Sequence, residues 1–379
     1  MKILIVVNSL QQGGAERASL RLADSLVNDG HKVVLATWNS SRDFYQLNDE
    51  VTRINLGNFF ETKKFKVFGM SRDFTKLGLI INLFRYRKNI LKQKPEVVIC
   101  FEALIGSITV FSTIGSRIPI IVSERINPDP EIYNPHWIAR KLRPWIYKKY
   151  AICSVQTEGF FDWVRFNWKI EPAITPNHIP ESWIQPARTQ FKRDKKIVSI
   201  GRIDYQKGYD LLIEAWSSLG DKTKDWTLEI YGRDENSGYS KQLKNNASGN
   251  VFFHGETLNV IEVLDSAHAF ISSSRYEGFP NIVLESLARG VPTIAAFSSD
   301  VINSFDKEGA VMGYETEDTF KLANFIDTIL FNQELAIQLS ENAQKTIMNY
   351  TWKNVGENWY KAIDLAIGQQ QKSFWKRFR

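Results

Sequence analysis

The amino-acid sequence predicts an α/β protein made of two doubly wound domains, each a parallel sheet with helices on its faces. Three observations carry this. Short apolar runs rich in Ile and Val alternate with helical stretches along the chain, the pattern of strands buried on both faces and joined by crossover helices. The 379 residues exceed what one hydrophobic core accommodates, since cores stop growing at roughly 250–300 residues. Pro172, Pro176, Pro180 and Pro186 crowd into one short polar stretch near the middle, the composition of a connection between domains.

In chain order, Lys2 to Asn8 is the first strand, a continuous apolar run. Gly13-Gly14 follows, then a helix from Ala15 to Val27 with Ala18, Leu22 and Leu26 at helical spacing and Gly30 just past its end. Lys32 to Thr37 completes a βαβ unit. Val97 to Phe101, Ile118 to Val122 and Ala151 to Val155 read as further strands, with helices near 75–93, 104–115 and 136–148. After the proline-rich stretch a second series begins at Ile197-Val198-Ser199-Ile200-Gly201. Its later strands fall at Thr227 to Tyr231, Val251 to His254, Ala269 to Ser272 and Thr293 to Ala296. Ligands of open α/β sheets bind at the carboxyl ends of the strands, so two such domains facing each other enclose a cleft there.

Bulk properties narrow the functional classes. Hydrophobic content of 43% and charged content of 24% are those of a globular chain, not a disordered one. Met1-Lys2 leads directly into Ile3-Leu4-Ile5-Val6-Val7, too short for a signal-peptide core, and no run approaches the roughly 18 apolar residues of a membrane span. The expected compartment is the cytoplasm. Cys100 and Cys153 each lie in an apolar strand and read as inert core thiols. A net charge of +6 and a pI near 9.0 point to an anionic partner.

Three strings carry candidate chemistry. Gly13-Gly14-Ala15-Glu16-Arg17 forms a strand-to-helix turn where a backbone can approach an anion, although a plain tight turn would look the same and the G-x-G-x-x-G fingerprint is absent. Gly201-Arg202-Ile203-Asp204-Tyr205-Gln206-Lys207-Gly208 repeats the arrangement with two cations: Arg202 offers a fork to phosphate oxygens and Lys207 a point charge. In Arg275-Tyr276-Glu277-Gly278-Phe279-Pro280-Asn281-Ile282-Val283-Leu284-Glu285, two carboxylates bracket a Gly-Phe-Pro turn and a helix start. That places acceptors for vicinal hydroxyls beside amides suited to a phosphate. No D-x-D string and no His/Cys set at metal spacing occurs, so neither a metal nor another cofactor is expected.

Together these strings resemble the family 4 glycosyltransferases, retaining enzymes of the GT-B fold with two Rossmann-like domains facing a cleft. The resemblance is strongest from Val198 to Ala295, and the Gly13 to Arg17 string is similar to the subgroup that builds bacterial surface glycans. It implies an acceptor domain over 1–178, a nucleotide-sugar domain over 190–354 and a C-terminal helix, about 355–379, packed back on the first domain. It implies that Arg202 and Lys207 hold the donor diphosphate, assisted by the backbone of Gly278, Phe279, Pro280, Asn281 and Ile282 and, from the other domain, by Gly13 and Gly14. Glu285 would bind the ribose and Glu277 would stand beside the transferred sugar, with the base near Gly232 and His254-Gly255-Glu256. Fixed cations and amides would stabilise the leaving diphosphate without a metal. Relatives often carry a His after the strand matching Ile118 to Val122; Ser123-Glu124-Arg125 stands here, which makes Glu124 and Arg125 the acceptor-side candidates. Likewise Phe297-Ser298-Ser299-Asp300 replaces a frequent Gly-Pro. His178, beside Asn177, reads as a hinge or core histidine.

The expected reaction is transfer of a hexose or N-acetylhexosamine, from UDP by the resemblance, to a lipid-linked or polysaccharide acceptor at the inner face of the cytoplasmic membrane. Peripheral attachment is suggested by cations interleaved with aromatics. These are Lys63, Lys64, Lys66 and Arg72 among Phe59, Phe60, Phe65, Phe68 and Phe74; Arg140, Lys141, Arg143, Lys148 and Lys149 among Trp137, Trp145 and Tyr147; and the tail Lys372-Ser373-Phe374-Trp375-Lys376-Arg377-Phe378-Arg379. The competing classes are a sugar-nucleotide epimerase of the same architecture, a silent scaffold and a nucleic-acid or membrane binder. Nucleic acid is not the expected partner, because no binding module is recognisable.

Overall fold

The structure, a computed structural model, describes residues 1–11, 13–38, 44–57, 66–67, 70–71, 75–126, 137–188, 195–247 and 249–375, with backbone alone at 66–67, 70–71, 75–80, 137–140 and 371–375. The chain divides into two compact units: Met1–Pro176 with Gly356–Arg379, and Asn177–Val355.

The first unit holds β1 (Lys2–Val7), α1 (Gly14–Asn28), β2 (Lys32–Thr37), β3 (Thr52–Asn55), the short antiparallel pair β4 (Lys66–Val67) and β5 (Met70–Ser71), α2 (Thr75–Lys92), β6 (Val97–Phe101), α3 (Ala103–Thr113), β7 (Ile120–Ser123), α4 (Trp137–Lys149), β8 (Ile152–Val155), α5 (Glu158–Trp168) and β9 (Ala173–Ile174). Seven strands form one parallel sheet in the order β3-β2-β1-β6-β7-β8-β9. Its centre is fully apolar because it is covered on both faces: Ile3, Leu4, Ile5, Val98, Ile99 and Ile121 have no exposed surface. Gly106 lets α3 lie directly on β7, since a Cβ there would sit 2.3 Å from Val122 Cγ1.

The second unit holds β10 (Lys196–Ile200), α6 (Tyr209–Ser218), β11 (Thr227–Tyr231), α7 (Gly238–Asn246), β12 (Val251–Gly255), α8 (Val260–Ser266), β13 (Ala269–Ser272), α9 (Asn281–Ala288), β14 (Thr293–Ala296), α10 (Asp300–Lys307), β15 (Met312–Tyr314), α11 (Thr319–Phe331) and α12 (Gln333–Ile347). Six parallel strands run β12-β11-β10-β13-β14-β15. One core, around Trp216, Leu228 and Ile326, fills one side of the sheet; another, around Phe270, Leu284 and Phe305, fills the other. Both sheets are Rossmann-like, with the strand order reversing direction beside the first strand of each series.

The last helix, α13 (Trp352–Trp375), starts in the second unit and continues in the first, where Trp359 stacks on Phe101 at 6.3 Å and the Tyr360 hydroxyl donates to Asp29 at 2.6 Å. The proline-rich stretch is more structured than its composition suggests. Ala173–Ile174 pairs with β8, the Thr175 amide donates to the Val155 carbonyl at 2.7 Å, and buried Ile179 bridges to Thr351. The prolines leave those amides free to pair. His178 is buried against the Trp352 ring at 5.0 Å, as a core histidine.

Candidate active site

In the second sheet the strand order reverses between β10 and β13, where a doubly wound sheet opens a crevice at the carboxyl ends of its strands. The Gly201–Gly208 turn leaves β10 there and the Ser273–Pro280 turn leaves β13. Their backbones touch. Gly208 has φ +62, and a Cβ would meet the Ser273 carbonyl oxygen at 2.2 Å; at Gly232, the turn after β11, a Cβ would meet the Gly201 oxygen at 1.7 Å. Only glycine permits this approach. The Asp204 carboxylate accepts from the Lys207 amide at 3.2 Å and closes the short 3-10 turn Tyr205–Lys207.

Across this crevice Lys207 Nζ pairs with Glu277 Oε1 at 2.6 Å, joining residues 70 positions apart. The Ser274 hydroxyl donates to the same oxygen at 2.7 Å. Both charged side chains are largely shielded, 17% exposed for Lys207 and 11% for Glu277. Arg202, in the same turn as Lys207, is half exposed, with Asp204 at 3.1 Å and Gln206 at 3.2 Å. Pro280 precedes α9, and the turn is tied down by the Glu277 amide donating to the Ser298 carbonyl and the Ser299 hydroxyl donating to the Gly278 carbonyl.

The remaining motif residues separate into surface and core. Phe279 is a core side chain, packed at 5.9 Å on Tyr350, so only its backbone faces the turn. The Asn281 amide donates to the Phe279 carbonyl, and its side chain accepts from Asn177 Nδ2 at 2.7 Å. Ile282 is half-buried in the first turn of α9, and Glu285 one turn on is completely buried. Near Gly232, the His254 ring stacks on Tyr231 at 4.5 Å, and its Nε2 lies 3.4 Å from Glu229.

Sequence reasoning gave no role to Arg275, Asp210 and Tyr239. The Arg275 guanidinium donates twice to Asp210, at 2.9 and 2.7 Å, and to the Tyr205 carbonyl at 2.8 Å, and Tyr239 also donates to Asp210 at 2.7 Å. Burial alone would raise the Asp210 pKa, but bonds from Arg275 and Tyr239 outweigh it and hold the carboxyl below its ordinary range. The signal available was the placement of Arg275 within the paired-glutamate string.

The first unit shows a different arrangement. Gly13 caps α1 with extended backbone, and the Glu16 carboxylate folds against it where a side chain at 13 would be. Gly14 opens the helix, exposed. Glu124 is buried: the Arg143 guanidinium forks onto both its oxygens, and the Tyr147 hydroxyl donates to Oε1. Arg143 and Tyr147 therefore belong to the interior and not to the basic surface in which their sequence neighbours placed them. Arg125 lies over the Phe101 ring at 4.1 Å, and burial lowers its pKa to about 9. Glu102, after β6, has φ +82, and burial with the nearby charges of Glu16 and Glu124 pushes its carboxyl up to about 7. Among the described residues no group of three His, Cys, Asp or Glu is placed to hold a metal ion, and no helix is long and apolar enough to cross a membrane.

The chain is similar in sequence and fold to known glycosyltransferases. Residues 181–346 match the family model described as glycosyl transferases group 1. The chain is 26% identical over 373 residues to a Campylobacter jejuni α-1,4-N-acetyl-D-galactosaminyltransferase named for an undecaprenol-diphosphate-linked acceptor, covering 96% of this chain and 98% of that one. It is 22% identical to the amylovoran biosynthesis glycosyltransferase AmsD of Erwinia amylovora, covering 93% and 94%. Among solved structures it resembles S. aureus TarM, crystallised as a variant with UDP and glycan ligands (TM-score 0.78, 13% identity, 96% and 99% covered). It also resembles Anabaena HepE in complex with UDP and glucose (TM-score 0.77, 12% identity, 96% and 99% covered).

Proposed function

Because residues 181–346 form a glycosyl transferases group 1 domain and the chain is a glycosyltransferase, we propose that it transfers a hexose or N-acetylhexosamine from a UDP-linked donor, with retention and without a metal, to a lipid-linked or polysaccharide acceptor at the inner face of the cytoplasmic membrane. The observation that carries this reading is the Lys207–Glu277 pair across the switch point, with Arg202 in the same turn as Lys207. As the anomeric bond breaks, the diphosphate gains negative charge. Lys207 and Arg202, both carried by the turn after β10, meet that charge, and the start of α9 adds its partial positive charge. Glu277 faces the other half of the separation, the positive charge growing on the sugar. Glu285, buried one turn along α9, is the ribose candidate. UDP in the TarM and HepE structures supports the choice of base, and the undecaprenol-linked acceptor in the Campylobacter relative's name supports the acceptor class.

The surface of the first unit suits such an acceptor. Flanking α3, the described side chains of α2 (81–92) and α4 (141–149) include Arg85, Lys88, Lys92, Lys141, Lys148 and Lys149 and no acid. Ile81, Phe84 and Trp145 are 58%, 67% and 39% exposed among them. Cations with protruding apolar groups fit an anionic lipid interface. The aromatic-basic residues 59–65, Phe68, Arg72 and Phe74, and the tail residues Lys376 to Arg379, lie outside the described residues, as do the side chains of Lys66, Trp137, Arg140 and residues 372–375.

The test pairs a thermal-shift screen against UDP-, GDP- and dTDP-sugars with transfer assays on Arg202→Ala and Lys207→Ala. UDP-sugars stabilise the wild type, and each substitution abolishes transfer while leaving the protein folded. Near-normal turnover in both variants rules the reading out.

A further inference from the structure

We infer that Arg275 is a positioning residue that sets the register of Lys207 against Glu277 by lacing the turn after β10 to the turn after β13. The inference rests on the proposed donor site but is carried by contacts of its own. Arg275 sits two residues before Glu277, and its backbone amide donates to the Gln206 carbonyl at 2.8 Å. Its guanidinium reaches past that bond. Nη1 donates to the Tyr205 carbonyl at 2.8 Å and to Asp210 Oδ1 at 2.9 Å, Nη2 to Asp210 Oδ2 at 2.7 Å, and Nε to Glu317 Oε1 at 3.0 Å. The plane is covered by the Tyr205 ring at 3.8 Å. In return Gln206 Nε2 donates to the Tyr276 carbonyl at 2.9 Å, and the Ser273 hydroxyl donates to the Lys207 carbonyl at 2.9 Å.

Tyr205, Gln206 and Lys207 are thus each bonded to a residue between Ser273 and Glu277, and the Lys207–Glu277 pair closes the series. Asp210 is the anchor: it lies in the first turn of α6, so the Arg275 fork fixes the second turn to the helix that follows the first. The side chain of Arg275 is only 10% exposed. The bond to Asp210 raises the Arg275 pKa further above its ordinary value, so the guanidinium keeps its charge at every working pH. A lysine would retain the charge but cannot span a bidentate carboxylate, a carbonyl and a second carboxylate at once, because it lacks the planar fork. Geometry of this kind matters to catalysis: displacement of a reacting group by about 1 Å costs on the order of 100-fold in rate.

The experiment compares wild type with Arg275→Lys and Arg275→Gln by two readouts. The first needs no substrate: trace acylation of the Lys207 amine, followed by peptide mass spectrometry, with Lys195 and Lys222 as exposed internal standards. Loosening the two turns releases Lys207 from Glu277, so its relative reactivity rises about tenfold, the equivalent of one ordinary charge-assisted bond. The second is steady-state transfer, where kcat falls about 10- to 100-fold in both variants while KM for the donor moves little. Unchanged Lys207 reactivity in both folded variants overturns the inference, as does a loss of thermal stability with kcat per folded molecule intact, which is what a purely structural Arg275 would give. If Lys207 reactivity rises but the wild type transfers no sugar, the positioning role stands and the proposed function falls.

Discussion

Glu102→Gln should stabilise the protein several-fold more at pH 8 than at pH 5. Glu102 leaves β6 with φ +82, its amide donates to the Ser123 carbonyl at 3.0 Å, and its carboxyl is turned into a half-buried space. Glu16 on α1 faces it, as does Glu124, which is held by Arg143 and Tyr147. Burial, then Glu16, then Glu124, push its pKa from the usual 4.5 up to about 7. The folded state therefore binds the proton more tightly than the unfolded chain does. The resulting stability is complete below about pH 4.5 and is lost as pH rises through 7. At about 1.4 kcal/mol per pK unit the ceiling is about 3 kcal/mol. Glutamine has the same shape and bears the same left-handed backbone, so the substitution isolates the charge. For a unit of this size, about 2–4 °C in Tm per kcal/mol gives a gain of several degrees at pH 8 and about a quarter of that at pH 5. Differential scanning calorimetry at four pH values between 5 and 8 reads this directly. A Tm difference between variant and wild type that stays flat over that range refutes the reasoning.

Two further outcomes follow from particular contacts. Gly208→Ala brings a Cβ to 2.2 Å from the Ser273 carbonyl at a φ of +62, so the turns after β10 and β13 must part. Transfer should fall at least about tenfold and donor affinity with it, with Tm lowered by a few degrees; isothermal titration with UDP and a transfer assay check both. Charge reversal of Lys148 and Lys149 to Glu should abolish flotation with anionic liposomes at low salt, each cation near such a surface being worth about 1 kcal/mol, and equal flotation of variant and wild type disproves the lipid face.

What the sequence disclosed follows the physics of burial. β1, β6, β10 and β13 are buried on both faces, so each is an uninterrupted apolar run. β3 and β15 lie at sheet edges, where Thr52 and Arg53 are exposed and Gly313 is half-buried, and they carry no such run. β9 was hidden by the prolines around it. The paired-glutamate and Gly-Arg…Lys-Gly strings could each be read as local turns, but their meeting is a property of strand order. Lys207 and Glu277 become neighbours only because β13 pairs with β10 on the side opposite β11. Glu124 is the opposite case. Its position after β7 drew it toward the acceptor side, while Arg143 and Tyr147 read as surface because their sequence neighbours are basic and aromatic. Their spacing of four along α4, beside buried Ile146, was the available sign that both point inward.

The two acid–base pairs also differ in what they can do. At Glu124 an arginine fork and a tyrosine hydroxyl occupy both carboxylate oxygens in a buried setting, and removing one partner from such a pair costs about 3–5 kcal/mol. A group bound that completely has little left with which to meet a substrate, so its part in the molecule is to hold α4 on β7. At Glu277 both bonds fall on Oε1, one of them from the point charge of a lysine on a flexible stem, and the pair sits at a strand-end crevice instead of beneath a helix. A diphosphate arriving there would, on the proposed function, compete directly for Lys207. On the proposed function, each step of Lys207 toward the phosphate leaves Glu277 less neutralised, while the sugar beside it is gaining positive charge. The same ammonium group would then stabilise the leaving group and unmask the carboxylate, a coupling that requires lysine and that arginine, bound in a fork to Glu277, would oppose.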